Sequence, residues 1–578
     1  MKTSFPPPKP DEAGSALALT MIMTGIALAI LAGAMSWSAN SARLTHRSIQ
    51  YSRAIAAAEA GTEKVISRIT RDFLTGGEKL VGDNLTGYRL AVPTAADSAF
   101  WNGWEFNDAN GNLSQTFVQR ATANSYVVLN STYAGLRGFV STYAVVAHAR
   151  EPAALQNVVG GVRQEVQLAR IPIFQFALYS SGEMEISCGQ AFAVTGPVHA
   201  NKQLYVEPDS TLTFQSDVTA VNDINFSRDP LDTRGNPNGS VVYESEKTPQ
   251  VAAMNLPIGT NNSPEAIREI IQVPPAGEDP NSLIGRSRYY NQADMILTVS
   301  DTGIRATSGM FDNFATPIPT NQLVAMLTTT NSFTDARESK TVRPIDINVG
   351  ALALWSQTNS SLRPALGAKD VSSVYVVDNR TLTGTALGAV RLVNGQNLPA
   401  GGLTVVTARP LYVFGNYNQT NAANLGTSHT DTTRPASLVA DAVTILSPNW
   451  QDARSPLAVG SRMASPTTVN AAILTGVVET TLGKYSGGME NFPRFLETWG
   501  AANTFTYNGS MVRMFPSRFA TNAWGLGNVY SPPKRNWAYD QNFNDPTKLP
   551  PLTPSLVKVM RGQWTTVAPD VNQVAALP

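Results

Sequence analysis

From Ala13 to Ala42 the chain carries no charged side chain, and within this window the run SALALTMIMTGIALAILAGAMS, opening at Ser15 and closing at Ser36, is apolar almost throughout. At about 1.5 Å per helical residue the run extends roughly 33 Å, enough to cross a hydrocarbon core of about 30 Å. It is too long for the h-region of a cleaved secretory signal, which spans about 7–15 residues and gives way to polar mature sequence. Here a helical pattern continues instead. Ile55, Ala58, Thr62, Val65, Ile66, Ile69 and Phe73 recur at steps of three and four, while Arg53, Glu59, Glu63, Lys64 and Arg71 take other positions. The pattern predicts one long helix, transmembrane first and amphipathic afterwards, ending near Gly76 and Gly77. Lys2 and Lys9 precede the span and Arg43, Arg47 and Arg53 follow it, so charge counting alone favours a cytoplasmic body.

The remaining sequence bounds the partners. Lysine plus arginine and aspartate plus glutamate both number 43, so no polycationic surface exists to displace counterions from a phosphate backbone, and nucleic acid is excluded as a partner. Charged residues make up 15% of the chain, against about 25% in an average globular protein. Cys188 is the single cysteine, which rules out an intrachain disulfide, and it reads as a small buried hydrophobe. His46, His148, His199 and His429 show no metal-binding spacing, so neither a metal site nor a cofactor site is predicted.

Gly14-Ser15-Ala16-Leu17-Ala18-Leu19, the apolar run and Ala56-Ala57-Ala58-Glu59-Ala60-Gly61 resemble the N-terminus of PilX-type minor pilins and type II secretion pseudopilins. The resemblance covers about the first 75 residues. It implies a leader, residues 1–14, removed by a prepilin peptidase between Gly14 and Ser15. It also implies a single-pass inner-membrane anchor with the C-terminal body in the periplasm or on the cell surface, reversing the orientation that charge counting favours. Its implied partners are other pilin-like subunits and their assembly machinery. The chain departs from the family at Ser15, where Phe or Met is common, and at Leu19, where major pilins carry Glu. A missing carboxylate at that place implies an initiating, tip-located or accessory subunit rather than the bulk filament subunit.

Beyond Gly77 the period changes to two, as in Tyr126-Val127-Val128-Leu129 and Ser141-Thr142-Tyr143-Ala144-Val145-Val146. Asn107 to Asn112 has the alternating oxygens of a calcium loop, but its glycine is misplaced and position 119 is Gln119, so a hairpin turn tipped by Asn110-Gly111 is expected. A repeat of 20 residues then aligns Leu178, Val198 and Val218; Met184, Leu204 and Ile224; Ile186, Val206 and Phe226; Phe192 with Leu212; and Val194 with Phe214. One such unit cannot bury its apolar faces alone, so stacked coils are predicted. The pattern returns near Leu403-Thr404-Val405, Leu411-Tyr412-Val413, Val443-Thr444-Ile445 and Leu474-Thr475-Gly476, the last echoing Val194-Thr195-Gly196.

The predicted fold is therefore mainly β: the long N-terminal helix followed by a β-solenoid, or β-helix-like, body with inserted short helices. Its expected parts are the leader 1–14, the helix 15–76, a connecting β-rich domain 77–170, solenoid coils 171–226, an insertion 227–370, further coils 371–484, and an aromatic-rich cap 485–578. The insertion is expected to hold a helix capped by Ser263 with Pro264 at its first position, and another from Val349 to Gln357. The body resembles large envelope proteins of environmental bacteria that join a PilX-like N-terminus to a β-rich body, in segments such as IPIFQFALYSSGEMEI and ENFPRFLETW.

Catalysis is not expected. Glu183, Glu185, Asp217 and Asp223 form no acidic ladder under the 20-residue shift and read as solvated turn carboxylates, and neither a nucleophile elbow nor a phosphate loop is present. The run from Asp335 to Lys340 reads as a charged turn, and Lys534-Arg535 as part of a solvated loop. The tail aromatics, Phe492, Phe495, Trp499, Phe505, Tyr507, Trp524, Tyr530, Trp537, Tyr539 and Phe543, read as core and cap. The alternative is a sugar-stacking platform, in which case the chain is a tethered carbohydrate-binding or carbohydrate-active protein with surface glycans as ligands.

Overall fold

The structure, a computed structural model, describes residues 13–568 except 109, 130–132, 134, 155, 236–237, 308–316, 360–362, 364–365 and 526. Most of the predicted leader, residues 1–12, lies outside the described residues. Helix α1 runs Ala13–Asp83 and is interrupted at Gly77, whose φ of 68° is the left-handed conformation that glycine adopts without steric cost. The upper part of α1 lies on an antiparallel sheet formed by β1 (Glu105–Asn107), β2 (Phe117–Val128), β3 (Arg137–Arg150) and β4 (Val159–Pro172). Val65, Ile66, Ile69 and Phe73 are buried on this sheet among Tyr143, Val145, Val166 and Leu168. Full burial of such side chains contributes about 1.5–3 kcal/mol each as an upper bound.

Small residues set how closely α1 approaches. A Cβ on Gly160 would lie 2.5 Å from the carbonyl carbon of Ala54 and the nitrogen of Ile55, and one on Gly61 would meet the Cβ of Ala147 at 3.2 Å. The alanine-rich stretch around Ala58 is therefore a notch cut for the sheet. The turn after β1 closes as a hairpin, with Gly111 left-handed and the carboxylate of Asp108 accepting from the backbone of Asn110 and Asn112.

The next strands stack in parallel with the register predicted from the repeat: Leu178 beside Val198 beside Val218, Met184 beside Leu204 beside Ile224, and Phe192 beside Leu212. The three strands of each unit feed three different sheets. Phe226 breaks the pattern, since the third strand ends at Asn225 and Phe226 is exposed. A segment containing short helices Pro264–Arg268 and Leu283–Ser287 follows, with Ser263 Oγ accepting from Ala266 N as the first cap. It carries the chain to the far end of the largest sheet. From there strands Met295–Ser300, Ser373–Asn379, Leu403–Thr407, Ala436–Ala440, Ala472–Val477 and Met511–Pro516 stack back in parallel until Met511 pairs with Leu178. The body is thus two half-stacks joined at the first strand of one and the last of the other, around one continuous apolar core.

Several segment assignments need correction. Residues 227–370 are not wholly an insertion, because Met295–Ser300 and Lys340–Asn348 pair in parallel within the stack, the latter with Leu387–Val393. The helix from Val349 follows directly and ends at Thr358. Residues 485–578 do not cap an open end. Thr504–Gly509, Met511–Pro516 and Lys534–Tyr539 are stack strands at the seam between the halves. The final strand, Ser555–Thr566, leaves the stack and pairs antiparallel with β4, Ser555 opposite Pro172. Leu474 and Val194 lie in different sheets, so the echo between their triplets does not mark equivalent positions.

Candidate functional site: the projecting helix and the clefts of the body

Every residue of α1 from 15 to 49 is exposed, including Leu17, Met21, Ile30 and Trp37, whereas Ala54 to Phe73 carry its buried face. Among the described residues this is the single helix long and apolar enough to cross a membrane. Gly14 and Ser15 lie in its first turns and Ser36 midway along the projecting part. Between Ser36 and the sheet the stem carries Arg43, His46, Arg47 and Arg53, and no carboxylate lies between Ser36 and Glu59. Arg53 meets Glu151 at 3.2 Å, and Arg561 of the final strand pairs with Glu63, tying the two chain ends together.

Among the described residues of the body, two polar clefts hold clustered charged side chains. One, of about 390 Å³, lies where Arg391 stands between Asp346 and Asp452, at 2.7 Å from each. Asn331 donates to Asp346, Trp450 donates to Asp452, and the guanidinium rests 5.3 Å from the Phe333 ring. With both carboxylates committed to one cation, this set is a hydrogen-bonding surface of fixed geometry. The arginine's place inside the apolar run Ala389-Val390-Arg391-Leu392-Val393 is the sequence signal for a buried ion pair.

The second cleft, about 120 Å³, lies at the seam, where Glu185 accepts from Thr480 Oγ1 at 2.7 Å. Glu185 is not the solvated turn residue its sequence context predicts. Burial, with Asp229 nearby, pushes its carboxyl up to about 7, against the lowering hydrogen bond from Thr480. Nothing in its local sequence marks Glu497 as unusual. It is fully buried, accepts from Ser447 N at 2.6 Å and Ser447 Oγ at 2.7 Å, and is also pushed up to about 7 by burial.

The other sequence candidates are structural. Nine of the ten named tail aromatics are buried and Trp524 is half-buried; Phe495, Trp499, Phe505, Tyr507 and Trp537 pack ring against ring inside the seam. They offer no flat face for a sugar. Asp335 and Glu338 belong to a buried network in which Tyr412 donates to Asp335 at 2.7 Å and Arg494 binds Glu338 at 2.9 Å. Arg535 is in a strand, not a solvated loop, and its guanidinium donates to Glu490 O and Asn491 Oδ1. Burial pushes the Cys188 thiol up to about 12 and holds the His199 imidazole down at about 4, between Thr219 and Asn201. Among the described residues no three His, Cys, Asp or Glu side chains converge to hold a metal ion.

No protein-family model and no curated protein matches the sequence. Among solved structures the chain is similar to the competence-associated pilin ComZ from Thermus thermophilus, at 10% identity and a TM-score of 0.30, over 90% of this chain and 98% of that one. A likeness of that degree carries no argument about this chain.

Proposed function

We propose that this chain is a pilin-like structural subunit of a type IV pilus or type II secretion-like system, anchored in the bacterial inner membrane by α1. In this reading the body, a β-solenoid, is displayed in the periplasm or at the cell surface for assembly or adhesion. It acts without catalysis or cofactor. The observation that supports it is the division of α1: one continuous helix whose lower part is apolar and wholly exposed and whose upper part is fixed in a small-residue notch on a sheet. An exposed apolar helix of this length requires lipid or neighbouring helices as its surroundings. Residues 1–14 act as the leader, and the prepilin peptidase cuts between Gly14 and Ser15.

The test is the intact mass and N-terminal sequence of the protein taken from its native membrane. A chain starting at Ser15 upholds processing by the pilin pathway. One starting at Met1 or near Ala42 removes it and leaves a simple anchor or a secreted protein. A second reading, a tethered carbohydrate-binding or carbohydrate-active protein, draws on the Arg391 cleft, whose mixed Asn, Asp and Arg lining offers the donors and acceptors a saccharide needs. Glycan-array binding lost in Arg391→Met would favour it.

A further inference from the structure

The rim of the seam cleft is a short flap. Beyond the strand Ala472–Val477 the chain doubles back, Thr481 and Lys484 exchanging backbone hydrogen bonds of 3.0 and 2.8 Å, before Tyr485 turns into the interior. Residues 481–484 are exposed, with Gly483 left-handed among them. The flap rises from the second half-stack and rests on the first, where Thr480 Oγ1 donates to Glu185 at 2.7 Å and Gly483 N donates to Leu231 O at 3.3 Å. Ser486 N donates to the same Thr480 oxygen at 2.9 Å, so one hydroxyl ties the flap both to itself and to Glu185.

Glu185 is half-buried, and the charges around it do not balance it. Arg513 is committed to Glu479, at 2.6 Å, and to the carbonyl of Glu183. Lys202 and the Glu183 side chain line the same cleft, Lys202 exposed and, among the described residues, without an ion pair, while Asp229 adds a like charge. Tyr205, beside Glu185 in the sheet, and Tyr485 are phenols that burial keeps neutral, and Glu490 is a carboxyl held by Ser187 N and the Tyr485 hydroxyl.

We propose that residues 479–484 are a pH-operated flap, closed onto Glu185 while that carboxyl keeps its proton and lifted when it ionises as pH rises. A neutral carboxyl fits the closed cleft, because it needs no cation and still shares a hydrogen bond with Thr480. An ionised one faces Asp229 with no cation of its own, and lifting the flap lets water solvate it. The sign follows from linkage: closure is most favoured in acid and is lost as pH rises through neutrality. The flap is one of the second half-stack's holds on the first, so the grip across the seam weakens with it.

Hydrogen exchange of the full-length chain in phosphatidylcholine nanodiscs, corrected for intrinsic rates, reads the flap at the amides of Gly483 and Ser486 from pH 5 to 8. With the Glu185 carboxyl at about 7 when closed and at the ordinary 4.5 when open, opening should increase by tens of fold across this range, with a limit of about 70-fold. Glu185→Gln keeps an acceptor oxygen and cannot ionise, so its flap should hold the protection seen at pH 5 throughout. Glu479→Gln removes an exposed charge of the flap itself and should keep the rise. Exchange that is flat from pH 5 to 8 in the unaltered chain would overturn the proposal. So would an equal rise in Glu185→Gln, a Glu185→Gln flap already unprotected at pH 5, or loss of the rise in Glu479→Gln.

Discussion

The segment with helices Pro264–Arg268 and Leu283–Ser287, which crosses to the far end of the largest sheet, is anchored through Arg268 to one buried carboxylate, whose removal should loosen it locally. Asp441 is fully buried and takes four donors: Arg268 Nη2 at 2.8 Å, Arg518 N at 2.7 Å, Phe519 N at 3.0 Å and Ala520 N at 2.9 Å. Burial lowers the pKa of Arg268 despite the pull of Asp441, so desolvation already weighs against this cation. Asp441→Ala leaves that guanidinium buried and uncompensated, a loss of about 3–5 kcal/mol, with three backbone amides orphaned as well. We take about 4 kcal/mol as the expected cost. Converted at about 1.4 kcal/mol per tenfold, amide exchange in residues 264–271 and 518–520 should accelerate by several hundredfold. Hydrogen exchange is the suitable assay, because a chain of several parts does not unfold in two states. Arg268→Met combined with Asp441→Ala should recover part of the loss, since the buried charge is then gone, while the three amides stay orphaned and the carbonyls of Pro516 and Ala408 lose their guanidinium donor. Acceleration below tenfold in both segments, or no recovery in the double variant, would refute the claim that this carboxylate anchors the crossing.

Three further outcomes are expected. Glu185 and Glu497 have folded-state pKa values of about 7, raised above the ordinary 4.5. Their contribution to stability is therefore complete below about pH 4.5 and is lost as pH rises through about 7, at no more than about 1.4 kcal/mol per pH unit for each group. Glu497→Gln should flatten the pH dependence of local opening at Ser447 and its neighbours, read by hydrogen exchange from pH 5 to 8 after correction for intrinsic rates, and a dependence unchanged by it would count against the burial argument. Gly160→Ala should cost about 1–3 kcal/mol by forcing α1 off β4, seen as faster proteolysis of the upper helix; an unchanged digestion pattern would show that the notch is not tight. Gly77→Ala, at a left-handed position, should cost about 1–2 kcal/mol and loosen residues 78–83 in exchange without disturbing the sheet below.

The first half-stack was legible because each of its coils has the same length, so one shift of the sequence aligned Leu178 with Val198 and Met184 with Leu204. The second half was legible only as isolated strands. Loops of different lengths separate Leu403 from Ala436 and Ile473 from Met511, and no single shift finds these pairs. Nothing local tells Met511 that its neighbour is Leu178, or the final strand that it belongs beside β4, because those choices are made by long-range packing. The amphipathic face of α1 was plain from its spacing, and the alanine and glycine notch was visible as composition without its physical reason. Glu185 lies beyond sequence-based expectation because a carboxylate in a short strand looks solvated until a remote segment, here Thr480 to Ser486, is folded over it.

Because Pro172 lies opposite Ser555, the stack is topologically the loop of a β-hairpin, and the sheet beneath it needs only those two neighbouring strand ends to be bridged. Load passing along α1 into the sheet need not cross the stack at all. The stack can therefore change in size and sequence while the helix and the sheet beneath it stay the same.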